Sequence, residues 1–114
     1  MHIINQNRGK SLAIDGRLAN TFWLRLRGLL GRKSLQEGEG LVLVGEKSIH
    51  TLFMRFPIDV LYIDKDYRVI RVDENMVPFR LGPFVTQSAY VLEVPVGTIV
   101  ATDTRVGDQL KFEK

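Results

Sequence analysis

Residues 49–64, Ile-His-Thr-Leu-Phe-Met-Arg-Phe-Pro-Ile-Asp-Val-Leu-Tyr-Ile-Asp, form the most apolar stretch of the chain, yet His50, Arg55 and Asp59 are set into it. Ionised groups among core-type residues raise the free energy unless they are paired or put to use. Arginine can clamp a phosphate or carboxylate with its planar fork. Histidine can act as acid, base or donor near neutral pH, and aspartate can orient either. The structural account competes with this one: Arg55 and Asp59 satisfy backbone groups or each other at a sheet bend, and His50 is hydrogen-bonded at a strand end. On an unbroken strand His50 and Arg55 point to opposite faces, while Arg55 and Asp59 share a face about 13 Å apart. A common site therefore requires the strand to end or bulge, which Pro57 permits.

Two further groups of residues could join such a site. At about 100° per residue on a helix, Arg25 lies at the margin of an apolar face, and Arg32, seven residues on, extends that margin. With Thr21 and Gly28 on the same side, the two guanidinium groups could flank a notch for an anion. Alternatively their stems cover the core edge and their heads pair with Asp59 or Glu93 or complement the helix C-terminus. Glu93, within Tyr-Val-Leu-Glu-Val-Pro, is a second carboxylate in an apolar run. It is a conceivable general acid, although a side chain alternating outward or pairing with an arginine is the expected arrangement.

The elements that must position these residues are mostly short strands. Residues 1–5 and 10–14 are apolar runs joined by Gln6-Asn7-Arg8-Gly9, which predicts an N-terminal hairpin closed by Asp15-Gly16. Leu18, Phe22, Leu26 and Leu29 then follow helical spacing, so one main helix is expected from Leu18 to a stop near Gly31. A loop over 34–40 leads to strands near 41–44, 49–55 and 58–63, and Asp64-Lys65-Asp66 turns the last of these into a strand over 67–72. Residues 73–87 carry Pro78, Gly82 and Pro83 and read as a long irregular connection. A strand over 88–94, a helical turn after Thr98, a turn at Gly107-Asp108 and a closing strand over 109–112 complete the chain. The expected fold class is α+β, mostly antiparallel, with a small curled sheet or barrel and one main helix packed on it. Strands do not alternate with helices, so a doubly wound parallel sheet is excluded.

A chain of 114 residues, 45% hydrophobic and 25% charged, is expected to form a single domain over 1–114 with a core that needs no cross-link. No apolar run of membrane-spanning length and no secretory signal are present, so the expectation is a cytoplasmic protein without a membrane partner. The absence of cysteine excludes disulfides, thiolate catalysis and cysteine-ligated metal centres. With only His2 and His50 as histidines, neither a metal nor a cofactor is assigned. The net charge of +3 mildly favours anionic partners and by itself does not argue for nucleic acid. Phosphate-loop, dinucleotide and nucleophile-elbow motifs are absent.

Four blocks carry a resemblance: Arg25-Leu-Arg-Gly-Leu-Leu-Gly-Arg-Lys-Ser-Leu35, Gly38-Glu-Gly-Leu41, His50-Thr-Leu-Phe-Met-Arg-Phe-Pro-Ile-Asp59, and Leu92-Glu-Val-Pro-Val-Gly97 with Gly107-Asp108. In this order they resemble the family called domain of unknown function 192, in what looks like its cytoplasmic form. The resemblance implies a compact, antiparallel-rich domain with the arginine-glycine block on a helix and the His50–Asp59 block at the sheet's centre. It imports no activity. Some relatives carry a cysteine just before the histidine block, where this chain has Glu46, Lys47 and Ser48.

Three functions follow as expectations. The first is a module that binds a small anionic ligand, phosphate or carboxylate, in a helix–sheet cleft with Arg25, Arg32, His50, Arg55 and Asp59. The second is a hydrolase or transferase in which His50 works with Asp59 or Glu93 and the nucleophile is water or the hydroxyl of Thr51 or Ser48. The third is a non-catalytic protein-interaction domain that docks a partner on an edge strand or on the 73–87 connection.

Overall fold

The structure, a computed structural model, describes residues 1–19, 34–48, 55–78 and 80–114. They form eight strands and one short helix: β1 (His2–Asn5), β2 (Lys10–Ala13), β3 (Asp15–Ala19), β4 (Glu39–Val44), β5 (Ile58–Ile63), β6 (Val69–Met76), β7 (Tyr90–Pro95), α1 (Thr98–Thr102) and β8 (Leu110–Glu113). The fold is α+β and dominated by antiparallel sheet, with β3 and β4 as its parallel pair. Strand order is β2-β1-β8 in one sheet and β3-β4-β7-β5-β6 in the other.

The described strands do not close into a barrel: β3 and β6 remain as the two edges of the larger sheet. The sheets instead pack face to face. Ile3, Leu12, Ala13 and Leu110 of the smaller sheet meet Val42, Leu61, Ile63, Leu92 and Val94 of the larger one, and Ile99 of α1 joins them. The contact is close at Gly40, where an added Cβ would lie 3.0 Å from the Ala13 Cβ and 3.3 Å from Leu92 Cδ1. On the far face of the larger sheet Ala19, Leu43, Ile58, Val60, Tyr62 and Val91 build a second core. All six residues of β5 are buried because both of its faces are covered.

The N-terminal hairpin and the strand over 58–63 lie where the sequence puts them. Several boundaries differ, and three of them bear on the site. Leu18 and Ala19 end a strand instead of opening a helix: β3 runs parallel to β4, an arrangement that local spacing cannot reveal. Residues 20–33, which carry the rest of the expected helix with Arg25 and Arg32, lie outside the described residues, as do Phe79 and residues 49–54, with His50, of the expected strand over 49–55, whose last residue, Arg55, is in a bend. β4 begins at Glu39, so Gly40 is strand, and there its missing side chain admits the neighbouring sheet. β6 continues to Met76, through residues expected to be loop. It does so across a bulge: Ile58 pairs with Met76 and Val60 with Asp73, so β6 carries one extra residue, and Asn75 takes φ 52°.

Candidate functional site

Asp59 and Glu93 sit in adjacent strands but project from opposite faces of the larger sheet. In β5, Leu61 and Ile63 belong to the core between the sheets, and Asp59 alternates with them on that face. One Asp59 oxygen accepts the Asn75 N–H at 2.8 Å; the other accepts Gly97 N–H at 3.1 Å and Ile99 N–H at 3.0 Å. The carboxylate thus satisfies the N–H that the β6 bulge withdraws from the ladder and two more at the start of α1, where Gly97 turns the chain at φ 96°. Asp59 is a joint between β5, β6 and α1, and its oxygens are engaged by main chain. Arg55 occupies a bend ahead of β5 and is exposed. Among the described residues no hydrogen bond or ion pair engages its guanidinium, and none joins it to Asp59.

Glu93 points the other way. It pairs with Leu41 of β4 and Val60 of β5, so its side chain lies on the face built by Leu43, Val60, Tyr62 and Val91. The expected outward side chain is corrected here: Glu93 is buried, and among the described residues it has no cation, while the expected pairing with Arg25 or Arg32 falls on residues outside the described ones. Burial without a counter-charge pushes its carboxyl up to about 8, so the neutral acid is the main form at pH 7. Tyr62 pairs with Val91 and is the diagonal neighbour of Glu93 on the same face. Its hydroxyl is buried, and among the described residues it has no hydrogen-bond partner. Burial, assisted by the negative charge of Asp73, raises that phenol to about 12. Phe56, next to Arg55 in the bend, packs against the cluster on this face.

Of the five residues singled out in the sequence, Arg55 and Asp59 are therefore described and are not brought together, while Arg25, Arg32 and His50 lie outside the described residues. Tyr62 was missed by sequence reasoning. Its signal was a hydroxyl in the apolar run Val60-Leu61-Tyr62-Ile63, where a partner has to be found. A separate polar cluster joins the chain ends: Asn5 and Arg8 donate to Asp108 at 3.0 Å each, Arg105 N–H donates to it at 2.9 Å, and Asn5 also donates to Thr104 at 3.0 Å. Among the described residues no group of three histidine or acidic side chains is arranged to hold a metal ion, and no helix is long and apolar enough to cross a membrane.

The strand-rich fold and the four sequence blocks agree with the family model of DUF192, described as an uncharacterized ACR, which matches residues 3–112. The chain belongs to the DUF192 family. Similar DUF192-type chains include UPF0127 proteins of Thermococcus kodakarensis, 33% identical over 96% of this chain and 72% of that protein, and of Pyrococcus furiosus, 30% identical over 98% of each. A solved structure of a protein of unknown function from Novosphingobium aromaticivorans has a TM-score of 0.86 at 21% identity, covering 98% of this chain and 84% of that one. A second solved structure, that of a protein described as a putative transcription regulator from Sinorhizobium meliloti, has a TM-score of 0.81 at 26% identity, covering 96% of this chain and 89% of that one.

Proposed function

We propose that this DUF192 chain is a binding module for a small ligand bearing an anionic oxygen, phosphate or carboxylate, received in a helix–sheet cleft beside the exposed Arg55, into which the buried Glu93 and Tyr62 donate. The single observation that supports this reading is the Tyr62 hydroxyl, a buried donor without a partner among the described residues, beside a carboxyl that burial keeps protonated. Buried polar groups are nearly always satisfied, and a neutral acid next to a phenol forms a pair of donors suited to one acceptor oxygen. The exposed Arg55 guanidinium supplies the charge that such a ligand requires. Arg25, Arg32 and His50 belong to the proposal on sequence grounds. Asp59 takes a positioning role, since its oxygens already accept three N–H groups.

Calorimetric titration with inorganic phosphate, small carboxylates, sugar phosphates and nucleotides tests the reading. Arg55→Ala and Tyr62→Phe are expected to weaken binding about tenfold each while leaving the unfolding midpoint within the range of ordinary single substitutions. Equal affinity in the wild type and both variants, or no binding by any of these probes, overturns it.

The near-neutral carboxyl of Glu93 also favours a second reading, a hydrolase or transferase in which Glu93 is the general acid. Glu93→Gln separates the two. The amide still donates, so binding persists under the first reading, whereas turnover is abolished under the second.

A further inference from the structure

At one end of the larger sheet the segments after β4 and β5 and the segment before β7 enclose an open groove of about 720 Å3, within the range of about 300–1,000 Å3 usual for small-molecule sites. It is distinct from the Glu93 face, because Tyr90, which lines it, packs toward the core between the sheets. Its charged lining residues are Lys47, Lys65, Asp64 and Asp66, a balanced set. Two of these are committed to the walls. The Lys47 ammonium donates to the Thr86 and Ser88 carbonyls at 2.8 and 2.9 Å, and one Asp64 oxygen accepts the N–H groups of Asp66 and Arg68, both at 2.9 Å. Among the described residues no hydrogen bond engages the side chains of Lys65, Asp66 and Gln87, which are exposed.

The aromatic side of the groove is unusual. Tyr90 is stacked by Tyr67, with ring centroids 5.3 Å apart and planes 15° from parallel, and Phe112 meets both rings edge-on. Tyr67 stands at φ 64°, a left-handed turn position that glycine or asparagine adopts without strain, and it is 37% exposed. A bulky aromatic side chain in a strained and partly exposed position backs the ring that lines the groove, and residues held in this way cluster at binding sites.

We propose that the groove is a carbohydrate-binding subsite, with the ring of Tyr90 packing on a neutral sugar ring and Lys65, Asp66 and Gln87 hydrogen-bonding its hydroxyls. The lining carries both donors and acceptors, as a polyhydroxylated ligand needs. A phosphate would face the two aspartates, and a lone cation the two lysines. The site is independent of the Glu93 reading, and either can fail alone.

The test is an amide chemical-shift titration of the full chain with cellotetraose, maltotetraose and chitotetraose. Saturable shifts at millimolar concentrations, centred on residues 64–67 and 87–90 for at least one of these sugars, are expected. Gln87→Ala, an exposed change that leaves the fold intact, should weaken that binding about fivefold, the loss of one hydrogen bond. Tyr90→Phe keeps the ring and its contacts with Tyr67 and Phe112 and should retain binding. No shift of these amides with any of the three sugars overturns the proposal. So do shifts of the same amides that saturate at lower concentration with adenosine monophosphate or choline.

Discussion

Asp59 and Glu93 are carboxylates of neighbouring strands whose surroundings differ completely, and each has a measurable consequence. Asp59 accepts three main-chain N–H groups, so Asp59→Ala leaves one buried and two part-buried donors without their acceptor and should destabilise the fold by about 2–3 kcal/mol, read from the urea midpoint. Arg55→Ala should change stability little, since its guanidinium is exposed and no described residue engages it. Glu93 is raised from 4.5 to about 8, so between these values the folded state binds a proton that the unfolded chain has released. Stability therefore falls as pH rises through this window, by at most about 1.4 kcal/mol per pH unit, and levels out above it. Glu93→Gln should flatten the profile, so that the wild type loses more stability than the variant between acid and mildly alkaline pH. Equal slopes for the two proteins would contradict the buried, neutral carboxyl.

At the scale of elements, strand positions were legible wherever apolar runs were continuous. β1, β2, β5 and β7 follow them closely. Where the sequence misleads, the deciding partner lies far away in the chain. Leu18 and Ala19 satisfy helical spacing with the residues that follow, yet their backbone pairs with Val42 and Leu43 of β4. Gly40 has the composition of a loop but is strand, because the sheets approach there too closely for a side chain. Ala13 cannot withdraw its Cβ without moving β2, so Gly40→Val should destabilise by about 1–3 kcal/mol through overpacking. A thermal or urea midpoint unchanged from wild type would show that β2 and β4 can part without cost.

The molecule as a whole is tied together by its ends. β1 pairs with both β2 and β8, so the smaller sheet is incomplete until the last residues of the chain arrive. Around the junction Asn5, Arg8 and Arg105 converge on Asp108. Burial acts to raise the Asp108 carboxyl, but the hydrogen bonds from Asn5, Arg8 and the Arg105 N–H, together with the Arg8 charge, hold it below its usual value of 3.8. A depressed carboxyl stabilises above the unfolded value, and its contribution is lost as pH falls through the folded one. Asp108→Asn should therefore be less stable than wild type at pH 7 by about 1–3 kcal/mol, with the deficit shrinking below pH 4. Acid titrations followed by circular dichroism check this, and a deficit that persists unchanged at low pH would mean the charge is not what holds the junction.

The amino-acid sequence by itself determined the family, the predominance of short antiparallel strands and the presence of carboxylates in apolar runs, because these depend on local periodicity and on the order of short motifs. Only the tertiary structure decided what each carboxylate does. Side chains one register step apart on adjacent strands face opposite sides of a sheet. Whether Asp59 meets three backbone donors or Glu93 meets none depends on the β6 bulge, the turn at Gly97 and the pairing of β5 with β7, all contacts between residues distant in the chain.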